Sequence, residues 1–325
     1  MPQISFAVQA EEGSCYTFDS ETGTLTLSGE VVHDQIFEFS SKNSVKSITA
    51  EEGTVFPTDS SLIFYSFNQC TTMDLSNVDT SQVTDMFQMF SGCESLTTID
   101  LSNFDTSNVT NMRKMFQSCT SLTSIDLSSF NTINVHNMND MFRGCENLTS
   151  IDVSSFDTSN VAKMEHMFCN CLELAELDVS NFDTSNVTDM GSMFYGCKNL
   201  TALDVSNFDT SNVTDMYAMF YYCPKLTELD VSSFDTSNVA TMNAMFYGCK
   251  NLTSLDVSNF NTSNVTSMGC MFKDCMNLTK LDVSSFDTSK VEDTTSMFAY
   301  CSQLQELCLG ENFGSVTEEM ANYDD

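Results

Sequence analysis

Leu200-Thr-Ala-Leu-Asp-Val-Ser-Asn-Phe-Asp-Thr-Ser-Asn-Val-Thr-Asp-Met-Tyr-Ala-Met-Phe-Tyr-Tyr-Cys-Pro-Lys225 is one copy of a unit that returns every 26 residues. Phe stands at 90, 116, 142, 168, 194, 220, 246, 272 and 298, and Cys follows each three residues later, from Cys93 to Cys301. A period held nine times marks a repeat array in which each coil contacts only its neighbours. The chain of 325 residues is therefore read as one elongated body, not as two globules.

Each unit has two halves. Leu96, Ile99 and Leu101 have the spacing L-x-x-L-x-L, the strand signature of a leucine-rich repeat. It recurs from Val45, Ile48, Ala50 through Cys70, Met73, Leu75 to Leu304, Leu307, Leu309, eleven strands in all. At ~4.8 Å between parallel strands, the predicted sheet is roughly 48 Å long. In the other half, Val109, Met112, Met115, Phe116 and Cys119 fall on one face of a helix. Thr106, Ser107 and Asn108 offer helix-capping groups before it. Met-rich composition and this spacing favour a short helix over an all-β helix. The expected fold class is thus α/β: a leucine-rich repeat solenoid with a parallel β-sheet on its concave face, short helices on its outer face and a small β-rich N-terminal cap.

Residues 1–44 form the expected cap, 45–309 the solenoid of about ten coils, with the 26-residue period from 70 on, and 310–325 an acidic C-terminal end. Within the cap, Gly23-Thr-Leu-Thr-Leu-Ser-Gly29 reads as a strand, Asp19–Gly23 as a turn and Ile36–Phe39 as a second strand. Ile4–Ala10 reads either as a first strand or as the stump of a signal sequence. An uncovered final strand would be a self-association edge, so its own C-terminus, another chain or more of a longer protein is expected to cover it.

The balance of 45 acidic against 12 basic residues, net −33, argues against nucleic acid and against anionic membrane surfaces, and suits a basic partner. No apolar run is long enough to insert directly into a membrane. Fourteen Cys would suggest disulfides in a secreted protein, but nine lie in one repeat column, which favours a ladder of free, buried thiols.

The repeat resembles that of BspA-like leucine-rich repeat surface proteins: Leu-Asp-Val-Ser-Asn-Phe-Asp-Thr-Ser-Asn-Val-Thr-Asp-Met followed by Met-Phe-x-x-Cys, over 45–309, with a looser likeness of 13–44. The resemblance implies a non-catalytic, surface-exposed or secreted protein that mediates adhesion or binds proteins, such as host extracellular matrix, cell-surface or microbial surface proteins. A structural spacer, or a secreted host-acting factor with no adhesive role, is the alternative. The chain carries no cell-wall sorting motif, membrane-spanning tail or lipobox.

Residues between the strand aliphatics face the predicted concave surface. That column reads Asp74, Asp100, Asp126, Asp152, Asp178, Asp204, Asp230, Asp256 and Asp282, beside Ser76 to Ser284. Carboxylates ~5 Å apart repel by about 1 kcal/mol per pair in water. Hydrogen bonds to Ser and Thr, weakly bound Ca²⁺ or a basic partner could offset this. The residues Asp100 to Asp282 are the candidate ligand-binding set. A second column, Asp79 to Asp287, is expected to cap the helix starts. Tyr217, Tyr221 and Tyr222, among tyrosines concentrated in the middle coils, are candidate aromatic contacts. His33, His136 and His166 lack any catalytic or zinc-ligand constellation, so neither an enzyme nor a resident metal or cofactor is expected.

Overall fold

The structure is a computed structural model and describes residues 11–314, 317 and 320. Ile4–Ala10 and the acidic end beyond Met320 lie outside the described residues.

The N-terminal segment opens with β1 (Glu11–Glu12), β2 (Tyr16–Asp19) and β3 (Thr24–Leu27), paired antiparallel. The Asp19–Gly23 turn is present. Asp19 Oδ1 accepts the Glu21 N–H, and Gly23 closes the turn at φ 74°. Ile36–Phe39 is not a strand: α1 (His33–Phe37) takes in Ile36 and Phe37, burying Ile36, and ends at Glu38. Phe39 instead packs edge-on to Phe18, with centroids 5.3 Å apart. β3 then pairs parallel with β4 (Ser47–Ala50), so the hairpin runs into the first coil without a break. A short pair, β5 (Thr54–Val55) with β7 (Val78–Asp79), follows. β6 (Thr72–Asp74) and β8 (Thr98–Asp100) complete a six-stranded sheet of order β1-β2-β3-β4-β6-β8. At the far end β9 (Lys280–Val283) pairs with β10 (Glu306–Leu309).

Between these ends the L-x-x-L-x-L segments are only thinly bonded from coil to coil. The links Thr149 N to Thr123 O, Ala175 N to Thr149 O, Thr201 N to Ala175 O and Thr227 N to Thr201 O lengthen from 3.2 to 3.5 Å. The expected continuous concave sheet is therefore a strand ladder at both ends only. The tighter coil-to-coil bonds, mostly 2.6–3.2 Å, lie on the opposite wall.

That wall is where the expected helices fail. From 45 to 314 the described residues contain no α-helix; α1 precedes them. Two residues per coil have left-handed backbone, such as Lys114 (φ 61°) and Ser118 (φ 60°), which a right-handed helix cannot contain. Met115 N–H bonds Met112 O and Cys119 N–H bonds Phe116 O, closing turns whose third residue has positive φ, the type II pattern. The alternate donors leave the coil: Met112, Lys114, Phe116 and Ser118 donate to Asn137, Asn139, Met141 and Arg143 of the next. The result is a β-solenoid whose outer wall is a stack of turns. Burial at 109, 112, 115, 116 and 119 is as predicted, because a turn every three residues points the same positions inward as a helix does.

The core is a set of columns. Phe64, Phe90, Phe116 and onward to Phe298 stack with centroids 5.4–6.0 Å apart and planes within 13°. Phe104 to Phe286 and the paired Met columns are buried beside them. All fourteen Cys are free, as the ladder reading expects. Each ladder thiol donates to the Phe carbonyl of the preceding coil, as Cys223 Sγ does to Phe194 O at 3.1 Å.

Candidate functional site

Two walls carry the candidate residues, and the structure keeps them apart. The strand wall bears the Asp column. In each coil the Asp Oδ1 accepts the backbone N–H of the Ser two residues on, from Ser76 N to Asp74 at 3.2 Å to Ser284 N to Asp282 at 2.9 Å. Ser76 and Ser206 also donate their hydroxyls, at 2.7 and 2.6 Å. These are Asx turns, which end the strand and turn the chain. From Asp100 to Asp282, the Ser hydroxyl and then the Ser N–H hold each carboxyl below the usual Asp range. Neighbouring carboxylates push several of them the other way, as Asp126 does for Asp100 and Asp204 for Asp178, without reversing the shift. The ladder is thus a row of ionised groups, one per coil, exposed from Asp100 to Asp256 and half-buried at Asp282.

The same Asx device closes two further corners. Ser107 N–H bonds Asp105 Oδ1, and Arg113 N–H bonds Asn111 Oδ1, with equivalents in most coils. The column expected to cap helices therefore shapes corners, since no helix follows it. Beside it runs a buried Thr ladder. Thr106 Oγ1 donates to Asn131 O and accepts the Asn131 N–H, each at 2.8 Å, so the hydroxyl is satisfied twice across the coil boundary.

Tyr217, Tyr221 and Tyr222 lie on the turn wall. Tyr217 is exposed, its N–H held by Asp215. Tyr221 is sandwiched between Tyr195 (4.4 Å) and Tyr247 (4.6 Å), with rings nearly parallel. Burial, then the neighbouring tyrosines, push its phenol pKa well up. Tyr222 sits 5.7 Å from Lys198 Nζ and 5.6 Å from Lys250 Nζ. Sequence reasoning missed these lysines. Aligning 198 with 250, two periods apart, was the signal that could have found them.

Elsewhere on this wall Glu165, Asp189 and Asp215 crowd together. Burial first, and then Asp189, raise the carboxyl pKa of both Glu165 and Asp215. His166 Nδ1 lies 3.2 Å from Glu165 and 3.7 Å from Asp140. Among the described residues no group of three or more His, Cys, Asp or Glu side chains is arranged to hold a metal ion. Nor is any helix among them long and apolar enough to cross a membrane.

Comparison with curated protein sequences finds no match. Among solved structures, a leucine-rich repeat protein from Eubacterium ventriosum is 19% identical at TM-score 0.39, over 92% of this chain and 83% of that one. A leucine-rich cell surface protein from Faecalibacterium prausnitzii is 16% identical at TM-score 0.41, over 98% and 99%. A leucine-rich repeat protein from T. pallidum is 19% identical at TM-score 0.38, over 65% and 86%. The family described as "Mycoplasma protein of unknown function, DUF285" matches residues 58–171, 144–229 and 223–323. Those segments together span the repeat array from its second coil onward, and on that match this chain belongs to the DUF285 family.

Proposed function

We propose that the protein is a non-catalytic binding scaffold, surface-exposed or secreted, that adheres to a protein partner through the Asp100–Asp282 ladder. The observation that carries this reading is the self-contained ladder: each Asp spends Oδ1 on its own Ser turn and stays ionised. Carboxylates repeating once per coil on a rigid frame suit a partner with spaced Lys or Arg side chains, which bond carboxylate best when charged and paired. Complementary fields also speed the encounter. A host matrix or cell-surface protein with a basic face is the partner class this predicts.

The test is binding to immobilised host matrix proteins by the intact chain and by an Asp178→Asn, Asp204→Asn, Asp230→Asn variant. Asn keeps the Asx acceptor, so the fold should persist while binding drops about tenfold or more. Undiminished binding by the triple variant would remove the acidic wall from the account.

A further inference from the structure

The turn wall of the middle coils carries a strip of lysines besides its Glu165, Asp189 and Asp215 group. Lys198, Lys225 and Lys250 come from three successive coils and occupy neighbouring columns; they are three of only 12 basic residues in the chain. At ~4.8 Å per coil their ammonium groups span roughly 10 Å along the solenoid. Lys198 and Lys250 flank the Tyr222 ring. Beside them the Tyr195, Tyr221 and Tyr247 rings are stacked on one another, so the column meets solvent with ring edges and hydroxyls, not faces. An open hollow of about 270 Å³ lies here, lined by Asn170, Tyr195, Gly196, Lys198, Tyr221 and Tyr222.

This surface offers a peptide little. Recognition of an extended peptide needs free backbone groups or apolar side-chain pockets. Here the N–H of each residue from Met190 to Lys198 is spent, on turn closure, on the next coil or on the Asp189 carboxylate. What this strip presents is ammonium, phenol and amide groups from successive coils. That is the chemistry of a hydroxyl-rich, anionic chain, whose charged groups would meet Lys and whose hydroxyls would meet Tyr and Asn.

We infer that this strip binds a linear acidic glycan, sulfated or carboxylated, lying along the solenoid axis. The strand-wall carboxylates stand across the Phe and Met core and line no part of this strip. The site is independent of the Asp ladder, and the two can fail separately.

The experiment is retention on immobilised sulfated polysaccharide at physiological salt, with neutral dextran as control and poly-aspartate as competitor. The wild-type chain and the Asp178→Asn, Asp204→Asn, Asp230→Asn variant should be retained on the sulfated matrix alone. A Lys198→Gln, Lys250→Gln variant should bind about tenfold more weakly or less, as loss of charge-assisted contacts demands. Lys225→Gln, at an exposed position, should weaken binding with an unchanged melting curve. Retention of the lysine variants equal to wild type, or no retention of wild type, overturns the site. Displacement by poly-aspartate as effectively as by the sulfated chain itself overturns its assignment to a glycan.

Discussion

A β-carbon placed on Gly248 would lie 2.8 Å from Cδ2 of Tyr222 in the preceding coil. The two residues occupy the same repeat column, which alternates: Ser66, Gly92, Ser118, Gly144, Asn170, Gly196, Tyr222, Gly248. All eight have positive φ. From 66 to 248 glycine falls at every second coil, where the side chain of the coil before leans across it; the alternation ends at Tyr300, which stands where the next glycine would. Over these eight coils the column therefore carries a two-coil period of 52 residues within the 26-residue one.

Gly248→Ala should destabilise by more than the ~1–2 kcal/mol of a left-handed alanine, because the methyl group also meets Tyr222. Gly29→Ala, at φ 63° with nothing within 4 Å, should incur the backbone cost alone. Denaturant melting of both, and of Gly248→Ala with Tyr222→Ala, measures the difference. The double variant should recover part of the loss, and strict additivity would remove the contact from the explanation.

Phe194→Ala deletes one ring from the stack, between Phe168 at 6.0 Å and Phe220 at 5.7 Å. The site is fully buried, so a loss of about 3–5 kcal/mol is expected. A melting curve close to wild type would show that the stack is not the core.

The acidic groups respond to pH in two opposed ways. Ladder carboxyls with lowered folded pKa bind fewer protons folded than unfolded, so their stabilisation is complete well above the unfolded value near 3.9 and is lost as pH falls through the folded values. Asp215 has a raised pKa, so its charge destabilises at neutral pH and the penalty is relieved on acidification. Asp215→Asn keeps an acceptor for the Tyr217 N–H and should raise the melting midpoint at about pH 7, with the gain shrinking toward about pH 4. A variant less stable than wild type at neutral pH would contradict the crowding of Glu165, Asp189 and Asp215.

Thiol reactivity should sort by position. Burial pushes Cys145 and Cys249 up to about 12, far from the thiolate form needed for reaction. In the folded protein at about pH 8, the partly exposed Cys270, Cys301 and Cys308 should be modified first. The other eleven should react only after unfolding. Rapid labelling of all fourteen without loss of structure would count against the buried ladder.

Much of this was legible in the sequence, and the remainder has a physical reason. Phe116, Met112, Met115 and Cys119 are buried where their spacing predicts, because burial follows the repeat whatever backbone carries it. The helix was not there to be found. Successive turns of three residues bury the same positions, and Lys114 and Ser118 give no warning of left-handed backbone. The warning stood in the Gly92, Gly144, Gly196 and Gly248 series, since type II turns favour glycine at the third position. The Asp ladder was visible as a column, but its Asx bonding to Ser needed the backbone. The lysines around Tyr222 come from coils before and after it, so no local motif announces them.

The outer wall is made of turns, and far-UV circular dichroism of the folded protein tests this most directly. The expected spectrum is that of strand and turn, without the paired minima of α-helix. A spectrum with strong helical minima, lost on melting together with the tertiary signal, would restore the helical outer face and contradict the solenoid described here.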